Sequence, residues 1–124
     1  MNLYTKEELE EALQTVTTII MHSEKIIPKF AEKTSQHTLL KNRIKALLIS
    51  RSLLLGGEAV NIYEKEELVE ALKPIASVIS KCEKARLKFV EGTIQYVRIQ
   101  KIITAMSISK ALIEDEISTR NDYN

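Results

Sequence analysis

Apolar side chains recur every three or four residues along two long stretches of the chain. This spacing, about 3.5 residues, returns side chains to one face of an α-helix, so each stretch predicts a long helix with one buried seam. The seam positions are Leu9, Leu13, Val16, Ile20, Ser23, Ile27 and Phe30 in the first stretch, and Leu68, Leu72, Ile75, Ile79, Cys82, Arg86 and Phe89 in the second.

The two stretches belong to an internal duplication. Residues 4–54 align with residues 63–113 without a gap, and 21 of the 51 aligned positions are identical. Such self-similarity at a fixed offset indicates a repeated structural unit. Because a unit of about fifty residues buries little apolar surface by itself, we expect both copies to share one core within a single domain spanning residues 1–124.

Each copy of the repeat predicts a helical hairpin. Thr5 is the expected N-cap of the first helix and Glu8 completes a capping box, whereas Glu64 replaces the threonine in the second copy. A left-handed residue, Lys33 or Gly92, then completes the reversal, and the threonine that follows caps the next helix. Two hairpins in tandem predict an all-α fold, an up-down-up-down four-helix bundle.

The second helix of each hairpin has different expected limits in the two copies. In the first copy it is expected to run from about residue 35 to residue 55 and to stop at Gly56 and Gly57. In the second copy it is expected to run from about residue 94 to residue 117 and to fray into a polar tail.

Two prolines interrupt the predicted seams. Pro28 and Pro74 fall inside the first helix of each hairpin, at positions that do not correspond between the copies. Because proline removes an amide donor and crowds the preceding turn, we expect each helix to kink there rather than to end. The alternative for Pro74 is that it begins a new helix after a short one at residues 65–72, which would give five helices.

Composition narrows the classes of function. The chain is 44% hydrophobic and 28% charged, as ordinary globular domains are, with a net charge of +1. Two Phe, four Tyr and no Trp are too few aromatic rings to suggest a platform for stacking nucleic-acid bases. A polar and acidic start, one cysteine, and no apolar run of about 18 residues predict a soluble cytoplasmic protein without a membrane span.

Residues suited to catalysis or metal binding are scarce. Cys82 lies on the buried seam at the position that Ser23 has in the other copy, which is typical of a small core residue rather than a nucleophile. His22 and His37 flank a hairpin turn at unequal distances and are not expected to meet, and the chain lacks the Glu-x-x-His motif of di-iron bundles. We therefore expect no enzymatic activity, no catalytic residue, no metal site and no cofactor.

Basic residues concentrate toward the predicted hairpin turns. If both turns lie at one end of the bundle, these residues form a basic pole that binds a polyanion such as nucleic acid. The alternative interpretation is structural, because the helix dipole favours lysine and arginine near the end of a helix. The candidate anion-binding residues are Lys25, Lys29, Lys33, Arg43, Lys84, Lys88, Arg98 and Lys101.

The second helix of each hairpin is apolar over more than one face. Leu48, Ile49, Ile102 and Ile108 are the candidate face for association with a protein partner or with a second copy of the chain. A helix packed between two neighbours has the same pattern, so both interpretations stay open. The leading hypothesis is a non-enzymatic helical bundle that acts through protein-protein association, with nucleic-acid or polyanion binding as the alternative.

Several short motifs recur in the two copies. They are Tyr-x-Lys-Glu-Glu-Leu-x-Glu-Ala-Leu from Tyr4 and from Tyr63, a Glu-Lys pair at 24–25 and at 83–84, and a Thr-x-Gln turn, followed in the first copy by Arg43-Ile-Lys-Ala46. In these motifs the chain resembles small, uncharacterised all-helical proteins of low-GC Gram-positive bacteria. The resemblance implies a helical fold and brings no known activity.

Overall fold

The computed structural model describes residues 3–122, and the whole of this part is helices and turns without a β-strand. The helices are α1 (Lys6–Ile26), α2 (Ser35–Leu55), α3 (Lys65–Arg86) and α4 (Ile94–Asp122), with short 3₁₀ helices at Ile27–Lys29 and Ala59–Ile62. The predicted fold class, an all-α four-helix bundle made of two hairpins, is confirmed.

Both hairpins begin with a capped helix. The Thr5 hydroxyl accepts a hydrogen bond from the Glu8 amide at 3.0 Å, and the Glu8 carboxylate accepts one from the Thr5 amide at 2.9 Å. In the second copy the Glu67 carboxylate accepts a hydrogen bond from the Glu64 amide at 2.8 Å. The predicted capping box of α1 is therefore present. Helix α3 keeps the hydrogen bond from the N-cap amide to the glutamate carboxylate three residues later.

The two hairpin turns have the same backbone conformation at their left-handed residue. Lys33 and Gly92 both have a positive φ, 70° and 89°. The threonine hydroxyl after each of them accepts a hydrogen bond from an amide in the first turn of the next helix, at 3.2 Å in the first copy and 3.3 Å in the second. Both turns therefore reverse the chain as the sequence predicts.

Exchanging the two left-handed residues should change stability in opposite directions. We expect Lys33→Gly to raise the free energy of unfolding by about 0.5 kcal/mol, because relief of the left-handed strain exceeds the added entropy of the unfolded chain. Gly92→Lys should lower it by about 1 kcal/mol through backbone strain alone, since no atom lies within 4 Å of an added Cβ at Gly92. Urea denaturation of both variants measures the effect, and a destabilising Lys33→Gly would contradict it.

The two prolines have different outcomes. The kink predicted at Pro28 is wrong, because α1 ends at Ile26 and Pro28 lies in the 3₁₀ helix that leads into the turn. The chain turns toward the next helix at this point. Proline favours the end of α1 because it has no amide donor for another helical hydrogen bond. Pro74 lies inside a continuous α3, so the five-helix alternative is wrong. Buried Ala71 and Ile75 on either side of Pro74 pack into the core and hold the helix together.

Helices α2 and α4 form the centre of the bundle. Each contacts the three other helices, whereas α1 and α3 do not touch within the described residues. The broad apolar surfaces of α2 and α4 are therefore explained by packing against several neighbours. The largest fully buried side chains of this shared core are Ile20, Leu47, Ile49, Leu68, Ile75, Met106 and Ile113.

Alanines lie between the two hairpins. Ala12 of α1 and Ala105 of α4 line one inter-hairpin groove, and Ala46 of α2 and Ala71 of α3 line the other. All four are buried. Because alanine has a small side chain, it lets two helix backbones approach closely, so the hairpins pack across each other through equivalent positions of the repeat.

Helix α4 extends beyond its predicted end at residue 117 and reaches Asp122. Arg120 explains the extension. Its guanidinium donates to the backbone carbonyl of Val60 at 3.0 Å and to that of Tyr63, and its Nε donates to the Glu116 carboxylate at 3.1 Å. The expected fraying after Ile117 is therefore wrong, because a contact some sixty residues away in sequence holds the last turn of α4 against the linker between the hairpins.

Candidate functional site

The eight predicted anion-binding residues form two groups along the chain, one for each hairpin turn. Seven of them are exposed and Arg43 is half-buried. The first group, near the α1–α2 turn, is Lys25, Lys29, Lys33 and Arg43, and the second, near the α3–α4 turn, is Lys84, Lys88, Arg98 and Lys101. Whether they meet depends on where the two turns lie.

Acidic residues of α1 lie near the α3–α4 turn. Glu8 and Glu11 in the first half of α1 line the same groove as Gly92 of the α3–α4 turn. Glu8 is nineteen residues before Ile27 at the other turn, a separation of about 28 Å along an α-helix. The second basic group therefore lies near acidic residues of α1, which partly offset its positive charge.

The predicted association face lies inside the protein. Ile49 and Ile108 are fully buried, and Leu48 and Ile102 are half-buried and packed against the core. Ile49 and Ile108 therefore provide no surface for a partner, and Leu48 and Ile102 provide only a part of one. The apolar residues on more than one face of α2 and α4 had two interpretations. The helix contacts support packing between neighbouring helices.

A different apolar surface surrounds the α3–α4 turn. We call Leu87, Phe89, Val90, Ile94 and Val97 the turn patch; their exposed fractions are 84, 39, 75, 68 and 43%. Sequence reasoning missed this surface, and it assigned Phe89 to the buried seam. The available signal was the density of apolar residues within eleven positions around a glycine turn.

The first copy shows that the fold does not require the turn patch. The equivalent residues around the α1–α2 turn are Pro28, Phe30, Ala31, Ser35 and Thr38. Both turns have a left-handed residue at the same position of the repeat, followed by a threonine that caps the next helix. Because the same backbone forms with proline, alanine, serine and threonine, the larger apolar residues of the second copy have no role in shaping the turn.

Two grooves lie between the hairpins and occupy equivalent positions in the repeat. The α1–α4 groove has a volume of about 500 Å³, and its charged lining residues are Glu8, Glu11, Glu91 and Lys101. The α2–α3 groove has a volume of about 540 Å³, and its charged lining residues are Arg43, Lys45, Lys73, Lys81, Glu67 and Glu70. Their net charges are −2 and +2, so the duplication produced two similar grooves of opposite charge.

One ion pair lies in the α2–α3 groove. Lys45 Nζ lies 2.6 Å from a carboxylate oxygen of Glu67. This hydrogen bond raises the pKa of Lys45, and together with the amide hydrogen bond from Glu64 it lowers the pKa of Glu67. A carboxylate with a lowered pKa stabilises the fold above its unfolded-state pKa, and this contribution is lost as the pH falls through the folded-state value.

The thiol of Cys82 is not activated. Cys82 is half-buried and packs against the core, and this burial raises its pKa, with a smaller opposing effect from the positive charge of Arg43. Since the thiolate is the reactive form, the raised pKa disfavours nucleophilic chemistry at this residue. Within the described part of the chain, no three His, Cys, Asp or Glu side chains are grouped as they would be around a metal ion.

Comparison with protein-family models, with curated proteins and with solved structures finds no match to this chain. Among residues 3–122, no helix combines the length and the apolar character of a membrane-spanning segment. The turn patch and the two grooves are therefore the candidate functional surfaces of this protein.

Proposed function

We propose that this protein acts without catalysis, by binding another protein in the cytoplasm through the turn patch. The observation that carries the proposal is the concentration of exposed apolar side chains around the α3–α4 turn; at every one of these positions except Phe89 the first copy has a smaller or more polar residue. A contiguous exposed apolar surface is typical of a protein contact site. The cytoplasmic location is proposed because the only cysteine has no partner for an internal disulfide.

Charged residues of both signs surround the turn patch. Lys84, Lys88 and Arg98 are exposed beside it, and Glu8, Glu11 and Glu91 line the adjoining α1–α4 groove. We therefore expect a partner with an apolar contact surface and charged residues of both signs at its edge.

The first copy supplies a variant that tests the proposal without disturbing the turn. Val90→Ala, Ile94→Ser and Val97→Thr together introduce the residues that the α1–α2 turn already uses; we call this triple change the graft variant. We expect it to keep the circular dichroism spectrum and unfolding midpoint of the parent and to reduce capture of a specific partner by crosslinking in cell extract about ten-fold or more.

A matched control removes an exposed apolar residue elsewhere. Leu55→Ser changes an exposed leucine at the end of α2 and should leave capture unchanged. Light scattering should show a monomer for the parent protein alone. A parent protein that captures no protein, or a graft variant that captures as well as its parent, would overturn the proposal.

A further inference from the structure

We propose that the α2–α3 groove binds an acidic amphipathic helix of a partner protein. The groove would be a contact surface separate from the turn patch, so it goes beyond the association proposed above and can be tested without it. Its residues come from positions 39–49 of α2 and 67–81 of α3. The length of these two helix segments, their apolar residues and their charges indicate which kind of ligand the groove binds.

The dimensions suit a short helix. Residues 67–81 of α3 extend about 21 Å along the groove, and residues 39–49 of α2 extend about 15 Å. A helical segment of about three turns matches that length. The volume of about 540 Å³ lies within the range of pockets that bury most of a ligand, and an amphipathic helix placed in a groove between helices is a recurring mode of peptide recognition.

Apolar residues line the base and both edges of the groove. Ala46 and Ala71 are buried at the base, where the two helices pack closely. Leu39 at the α2 edge and Val69 at the α3 edge are exposed, at 63 and 48%. A helix with leucines on one face would lie over the groove and cover these two exposed residues.

The charges select an acidic helix. Lys45 and Glu67 satisfy each other across the groove at 2.6 Å. The remaining charged lining residues are Arg43, Lys73 and Lys81, against Glu70 alone. An occupant with glutamate or aspartate beside its apolar face would pair with these cations, whereas a basic helix would be repelled.

The equivalent α1–α4 groove shows that these features are not required by the fold. At the repeat positions of Leu39 and Val69 the other copy has Arg98 and Glu10, and at the position of Lys73 it has Gln14. The same helix crossing therefore forms with polar edges and with a net charge of −2. The apolar edges and the basic charge of the α2–α3 groove are available for recognition.

A pair of peptides tests the inference directly. The probe is a fluorescein-labelled helical peptide of fourteen residues, with leucine at every third or fourth position and glutamate on the flanking positions; a second peptide has lysine in place of every glutamate. By fluorescence anisotropy we expect saturable binding of the acidic peptide, about ten-fold or more tighter than the lysine peptide. Raising the salt concentration should weaken it.

Variants locate the binding site. Lys73→Glu with Lys81→Glu changes two exposed residues and should weaken binding of the acidic peptide about ten-fold or more, with an unchanged unfolding midpoint. Lys101→Glu in the α1–α4 groove and the graft variant of the turn patch should have no effect. Absence of saturable binding, equal binding of both peptides, or binding insensitive to the lysine double variant would each overturn the inference; loss of binding in the graft variant would place the peptide on the turn patch instead.

Discussion

Replacing Leu47 with alanine should lower the free energy of unfolding by about 3 kcal/mol, a loss typical of a leucine truncated deep in a core. Leu47 is completely buried in α2, the helix that contacts α1, α3 and α4. The truncation removes apolar contacts with several helices at once and leaves a cavity that none of them can fill alone. A loss of this size is a large part of the stability of a small domain.

Urea denaturation followed by circular dichroism measures this loss. The midpoint should fall by roughly 1.5 M at the m-values usual for small proteins. Leu39→Ala is the matched control, because it makes the same substitution in the same helix at an exposed position and should change stability by less than about 0.5 kcal/mol. Equal losses in the two variants would contradict the central position of Leu47.

Replacing Arg120 with methionine lowers the free energy of unfolding by about 2 kcal/mol, since hydrogen bonds to charged groups are worth more than neutral ones. Methionine keeps the aliphatic part of the side chain and removes the guanidinium. The carbonyls of Val60 and Tyr63 lose their charged donor, and Glu116 loses its partner in α4. The end of α4 is then no longer fastened to the linker between the hairpins.

Two measurements separate this effect from a general loss of charge. The melting temperature of Arg120→Met should fall by about 8 °C, whereas Arg98→Met, at an exposed position in the first part of α4, should melt within about 2 °C of the parent. Amide hydrogen exchange should accelerate over residues 117–122 in the Arg120 variant. If exchange there is unchanged and the two variants melt together, Arg120 does not hold the end of α4.

The duplication gives this protein an internal comparison for every surface position. Two copies with the same backbone show which residues the hairpin needs, and differences between equivalent exposed positions are not explained by the hairpin. The turn patch and the α2–α3 groove are both found in this way, because Ile94 and Val97 correspond to Ser35 and Thr38 in the first copy, and Leu39 corresponds to Arg98 in the second.

Features that depend on neighbours in sequence were predictable. The capping box of Thr5 and Glu8 and the threonine caps after Lys33 and Gly92 join residues three positions apart. Helix periodicity and the length of the linker then leave few ways to arrange two similar hairpins around one core. For this reason the fold class, the positions of both turns and the limits of α2 followed from the residues.

The candidate surfaces were not predictable by the same reasoning. The apolar pattern of Ile49 and Ile108 suggested a contact face, and only the packing of α2 and α4 among three neighbours showed them to be buried. Conversely, Phe89 fits the seam pattern but lies at the exposed edge of a turn. A periodic pattern identifies the apolar side of a helix and does not say how many helices cover it.

The sequence by itself determined that the chain is helical, where its helices are capped and where both hairpins reverse, because these depend on interactions within a few residues. Only the tertiary structure decided that α3 is continuous through Pro74, which residues line the two grooves, with their opposite charges, and that Arg120 is anchored to Val60 and Tyr63. The physical reason is that each of these depends on packing between residues that are distant in sequence.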